Sequence, residues 1–154
     1  MTILFCHGLE SGPHGAKYHA LTDAGLDVQA PDFRGEDLST RVTHLQRLLG
    51  QLESPPLLVG SSFGGITAVL AAMGSGAVRG LVLCAPALAL ADTVLAVAAP
   101  TVIIHGTRDE VCPIALSREY AAADGVRLIE VDDDHRLARS LDRIVAEVRA
   151  AIAD

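Results

Sequence analysis

Leu57-Leu58-Val59-Gly60-Ser61-Ser62-Phe63-Gly64-Gly65-Ile66-Thr67-Ala68-Val69-Leu70-Ala71-Ala72 decides how this chain folds. An apolar run of strand character enters the stretch, and a small-residue apolar run of helical character leaves it. Between them stand only glycine, serine and one phenylalanine. A strand that turns so abruptly into a helix needs a corner free of Cβ atoms where the two meet, and Gly60 and Gly64 provide it. The frame G-x-S-x-G then puts Ser62 at the apex. Ser61 would have Val59 and Phe63 at the glycine positions and does not fit. A serine hydroxyl held at the tip of a tight strand-to-helix turn is presented as a nucleophile, which predicts chemistry at acyl bonds.

Working outward, short apolar runs alternate with longer stretches of helical period. Strands are predicted over Thr2–Cys6, Asp27–Ala30, Leu57–Gly60, Gly80–Cys84, Thr101–His105 and Val126–Val131, and helices over Ala16–Ala24, Leu38–Leu52, Phe63–Gly74, Ile114–Ala123 and His135–Ala153. Strands apolar on both faces and separated by helices must run parallel, in a doubly wound six-stranded α/β sheet with helices on both sides. Leu88–Ala99 has helical composition but little polar face and reads as a short helix or an apolar loop.

The composition agrees. In 154 residues, 50% are hydrophobic but only 3% aromatic and none is tryptophan, so Ala, Val, Leu and Ile build the core. That length suits one domain, residues 1–154. A net charge of -7, from 12 Lys+Arg against 19 Asp+Glu, would repel a phosphate backbone, and no basic cluster offsets it. Nucleic acid is therefore not an expected partner. The first residues lack the pattern of a secretory signal, and no uncharged apolar stretch reaches the roughly 18 residues of a membrane span. A soluble, cytoplasmic chain is expected. Composition sets no oligomeric state and is compatible with a homodimer. The three cysteines show no C-x-x-C spacing, which predicts reduced thiols rather than a disulfide framework or a zinc site.

In an open parallel sheet, ligands gather beyond the carboxyl ends of the strands. Four predicted loops at that edge carry reactive residues: His7-Gly8-Leu9-Glu10-Ser11-Gly12, the Ser62 turn, His105-Gly106-Thr107-Arg108-Asp109, and Asp132-Asp133-Asp134-His135. A serine needs a base, and the base needs a group that fixes its tautomer. His135 and Asp109 can supply these, in the chain order Ser62, Asp109, His135. His19 and His44 lie in predicted helices and His14 in a loop, whereas His7 and His105 close strands and read as loop ties. A tetrahedral intermediate also needs two donors for its oxyanion. The Phe63 amide, directly after the serine, is one, and the Leu9 amide, after His7-Gly8, is the other expected donor.

These motifs resemble the α/β-hydrolase family over nearly the whole chain. His7-Gly-Leu-Glu-Ser-Gly-Pro-His-Gly-Ala-Lys17, followed by the Gly-Ser-Ser-Phe-Gly-Gly turn, is similar to small bacterial esterases of the YqiA type. The resemblance implies strand order 2-1-3-4-5-6 without a lid domain, and a carboxylesterase or thioesterase acting through Ser62, His135 and Asp109 on small or short-chain acyl substrates. It implies no cofactor and no metal. The three acids before His135 depart from the family pattern. The lidless apolar segment, with Leu88, Leu90 and Val94, is the expected acyl wall. The competing reading is a non-catalytic binding or adaptor module on the same scaffold.

Overall fold

The computed structural model describes residues 1–75 and 77–154. Six strands form one parallel sheet: β1 (Ile3–Cys6), β2 (Val28–Gln29), β3 (Leu57–Ser61), β4 (Gly80–Cys84), β5 (Thr101–Gly106) and β6 (Val126–Val131), in the order β2-β1-β3-β4-β5-β6. This is the predicted fold class and strand order. Among the described residues five α-helices cover it: α1 (Ala16–Asp23), α2 (Leu38–Gln51), α3 (Phe63–Ser75), α4 (Ile114–Tyr120) and α5 (Leu141–Ala153).

The period of two along each strand sorts its side chains between two cores. Leu4, Cys6, Leu58, Leu81, Leu83 and Ile103 face the side packed by Leu45 and Leu49 of α2 and Ile66 and Val69 of α3. Ile3, Phe5, Val59, Val82 and Ile104 face the side packed by Leu21 of α1 and Ile144 and Val148 of α5. Leu57, Leu58, Val59 and Val82 are completely buried, as expected of central parallel strands.

β2 and the last helix differ most from the sequence expectation, and α4 stops at Tyr120 rather than Ala123. β2 shrinks to two residues, because as the edge strand it pairs only with Ile3 and Leu4. The last helix starts at Leu141 rather than His135. The buried Asp133 carboxylate accepts from the Asp134 and Arg139 amides and the Ser140 hydroxyl, and Leu137 takes a left-handed φ of 55° that no α-helix accommodates. Residues 132–140 are thus a self-bonded loop. After β4 only Leu88–Leu90 coils, as a single 3-10 turn. No described helix is long and apolar enough to cross a membrane.

Candidate active site

The β3–α3 corner is as tight as the glycine pattern requires. A Cβ at Gly60 would lie 2.6 Å from the Gly64 carbonyl oxygen, and one at Gly64 would run into the Cys6 carbonyl of β1. Ser62, at the apex, has φ of 55°, a region costing a non-glycine residue roughly 1–3 kcal/mol. Neighbouring backbone holds it there: its N–H donates to the Cys84 carbonyl at 2.9 Å, and its carbonyl accepts from the Ala87, Gly65 and Ile66 amides.

His135, from the loop after β6, stands with Nε2 3.0 Å from Ser62 Oγ and Nδ1 2.9 Å from Asp109 Oδ2. Because the carboxylate can only accept, Nδ1 carries the proton and Nε2 is left to accept from the serine O–H. The loops meet because Gly106 has no side chain: a Cβ there would enter the Asp133 carbonyl. Asp133 thereby crosses directly over the end of β5, with the Arg108 amide donating to its carbonyl at 3.0 Å.

Asp109 is fully buried at its side chain yet completely satisfied. Oδ1 accepts from the Val111 and Cys112 amides at 2.8 Å each and Oδ2 accepts from His135, while Nε2 of the buried His105 lies 3.1 Å from Oδ2 and bonds to the Cys112 carbonyl at 2.9 Å. Burial alone would raise its pKa, but the hydrogen bonds from Cys112, His135 and Val111 outweigh it and hold the carboxyl below its ordinary value. Glu110, its neighbour, is exposed. The acids preceding His135 are each committed elsewhere: Asp132 pairs with Arg108 at 2.9 Å, Asp133 caps its own loop, and Asp134 accepts from the Arg136 amide.

The first-strand loop lies beside the serine, with the Cβ position of Gly8 3.9 Å from Ser62 Cβ. Buried His7 donates through Nδ1 to the Gly8 carbonyl at 2.7 Å and accepts through Nε2 from the Phe33 amide at 2.8 Å. Burial lowers its pKa, in keeping with a neutral ring whose two nitrogens are both used. Lys17 of α1 donates from Nζ to the Arg136 carbonyl at 2.9 Å and so braces the turn that carries His135.

The apolar segment after β4 is divided between core and surface. Leu88 is 7% exposed and belongs to the core, Leu90 is 50% exposed, and Val94 is 89% exposed in solvent. Beyond Leu90 the chain runs down α4, where Tyr120 donates to the Ala96 carbonyl, and Val97 reaches Gly125 at the opposite edge of the sheet. A surface cleft of about 580 Å³ also lies at that opposite edge, against Arg79, Arg127 and Glu147. Among the described residues no three His, Cys, Asp or Glu side chains assemble as a metal site.

Sequence reasoning missed Arg41, the second histidine beside Asp109 and the capping role of Asp133. For Arg41 a signal existed: it shares the buried stripe of α2 with Leu45 and Leu49, at spacings of four, where a cation is out of place.

Residues 2–97 match the family described as Uncharacterised protein family (UPF0227). No curated protein matches the chain. Among solved structures, it is similar to a protein of Xanthomonas campestris pv. campestris grouped with hydrolases of the alpha/beta superfamily, at 29% identity and a TM-score of 0.84, covering 97% of this chain and 98% of that one. Est1E from Butyrivibrio proteoclasticus has the same fold at 16% identity and a TM-score of 0.82, over 99% and 88% of the two chains. So does mouse alpha/beta hydrolase domain-containing protein 10, at 19% identity and a TM-score of 0.79, over 99% and 89%.

Proposed function

This chain belongs to the UPF0227 family and has the α/β-hydrolase fold, and from that premise we propose that it is a serine hydrolase of carboxylic esters or thioesters. The observation that carries the reading is the unbroken hydrogen-bond chain from Ser62 Oγ through His135 to a buried, fully satisfied Asp109. Likeness to proteins grouped as hydrolases supports hydrolysis in general, and the named residues supply the particular chemistry.

In this reading Ser62 Oγ attacks the acyl carbon while its proton passes to His135 Nε2. The oxyanion that forms is held by the amides of Leu9 and Phe63, each such donor being worth about 3–4 kcal/mol where one has been removed. Collapse breaks the bond to the leaving alcohol or thiol, which takes the proton from Nε2 and leaves an acyl-Ser62. Water then attacks that ester and gives its proton to His135 Nε2; collapse breaks the bond from the acyl carbon to Ser62 Oγ, which takes that proton back, and the carboxylic acid leaves. Asp109 holds Nδ1–H in place and stabilises the imidazolium without taking its proton. The cycle calls for no cofactor.

The partner is a small acyl substrate in an open site. Leu9 and Val111, on the loops that also carry the proposed oxyanion amide and Asp109, and Leu90, in the 3-10 turn after β4, are exposed large apolar residues that we assign to the acyl rim beside Leu88 and Val94. Short acyl groups, which need little enclosed volume, fit such a rim.

The test is Ser62→Ala, which should keep the fold while hydrolysis of p-nitrophenyl acetate falls by several orders of magnitude. A fluorophosphonate probe should label the parent chain at Ser62. Absence of labelling in the folded parent would leave the binding-module reading in its place.

A further inference from the structure

Among the described residues Arg41 is the largest fully buried side chain, and it has no carboxylate partner among them. Its guanidinium spends itself on the first-strand loop. Nη1 donates to the His7 carbonyl at 2.7 Å and Nη2 to the Gly8 carbonyl at 3.2 Å, while Nε has no partner among the described residues. The group is held between two rings, 4.6 Å from the centre of Phe63 and 5.5 Å from that of Phe33. Burying an arginine for two bonds to neutral carbonyls is expensive in desolvation, which also lowers its pKa, and stability alone gives little reason for it.

What those two carbonyls have in common is position. The Gly8 oxygen accepts twice, from Arg41 and from His7 Nδ1. In a trans peptide the C=O and the following N–H point in opposite directions, and the chain has no cis bond among its described residues. Fixing the Gly8 oxygen toward α2 therefore fixes the Leu9 N–H away from α2, on a loop where a Cβ added at Gly8 would lie 3.9 Å from Ser62 Cβ. The same guanidinium lies against Phe63, whose amide is the other proposed donor.

We propose that Arg41 is a positioning residue that holds both halves of the oxyanion site, setting the Gly8–Leu9 peptide by hydrogen bonds and Phe63 by ring contact. This rests on the serine-hydrolase reading given above. It assigns Arg41 no contact with substrate.

The experiment compares Arg41→Met and Arg41→Lys with the parent chain, after circular dichroism and thermal melting show which are folded. Arg41→Met should lose about 10- to 100-fold in kcat, up to the cost of a removed oxyanion donor, with KM within about twofold. Arg41→Lys should fall between, since an ammonium keeps the charge but not the forked geometry. The shape of the pH profile should not change, because Ser62, His135 and Asp109 are untouched. A folded Arg41→Met with parental kcat, or a loss confined to KM, overturns the proposal. If the parent neither hydrolyses esters nor labels with fluorophosphonate, the serine-hydrolase reading has failed first and takes this one with it. A readout independent of variant folding is a structure of the phosphonylated parent. It should show a phosphoryl oxygen on the Leu9 N–H with the Gly8 carbonyl still on Arg41, and an oxygen out of reach of Leu9 overturns the proposal equally.

Discussion

His105 Nε2 stands 3.1 Å from Asp109 Oδ2, and neither side chain reaches water. The same nitrogen faces the Cys112 carbonyl at 2.9 Å, so both neighbours are acceptors and Nε2 must carry the proton, leaving Nδ1 to accept from the Ser117 hydroxyl at 2.7 Å. The Nε2–H bond goes to the Cys112 carbonyl, and the ring edge thereby lies against the Asp109 oxygen that meets His135. His105→Leu should cost about 1–3 kcal/mol for the unpaired polar groups it leaves, readable in urea melts. It should also lower kcat by roughly tenfold, the order expected when losing the polar contact beside Asp109 removes about 1.4 kcal/mol of support for the acid. Unchanged kcat in a folded variant would make His105 a packing residue only.

Asp109→Asn should reduce kcat by about 10⁴-fold, the cost of stabilising the wrong histidine tautomer in this constellation. Asp109→Ala should receive no help from the acids before His135, because Asp132, Asp133 and Asp134 are each engaged in bonds of their own. Glu110→Ala, on an exposed side chain, should leave activity intact, and a large loss there would move the acid by one residue.

The depressed pKa of Asp109 has a defined sign in stability. Its carboxyl binds fewer protons folded than unfolded, so its contribution is complete above the unfolded value of about 3.9 and is lost as pH falls through the lower folded value. Urea midpoints of the parent and of Asp109→Asn should therefore converge on acidification below roughly pH 4. A constant gap from pH 7 to pH 3 would mean the carboxylate contributes nothing through its charge.

Gly64→Ala would force a Cβ into the Cys6 carbonyl, backbone that cannot move without parting α3 from β1. Overpacking of this kind costs about 3 kcal/mol or more, which for a chain of this size is a fall in Tm of roughly 6–12 °C. Melting within about 2 °C of the parent would show that the corner is looser than described.

All three cysteines are free and buried. Burial pushes Cys6 up to about 12 and Cys84 up to about 11, and raises Cys112 as well. Native protein at pH 8 should react with Ellman's reagent only slowly, and denatured protein should release three equivalents at once. Rapid native labelling of Cys6 or Cys84 would contradict their place in the sheet core.

Apart from the strand order, which the family resemblance implied, the amino-acid sequence by itself determined the parallel α/β sheet, the Ser62 corner and the loops that carry Ser62, Asp109 and His135. These depend on local devices: the period of apolar residues, glycines where backbone meets backbone, and polar loops at one end of parallel strands. Only the tertiary structure decided what lies behind the site. Arg41 reaches the His7 and Gly8 carbonyls from more than thirty residues away, Asp133 rather than His135 governs the start of α5, and Val94 turns out to solvent. Such facts depend on how loops distant in sequence pack together, and a side chain's type and spacing do not say which buried carbonyl it will find.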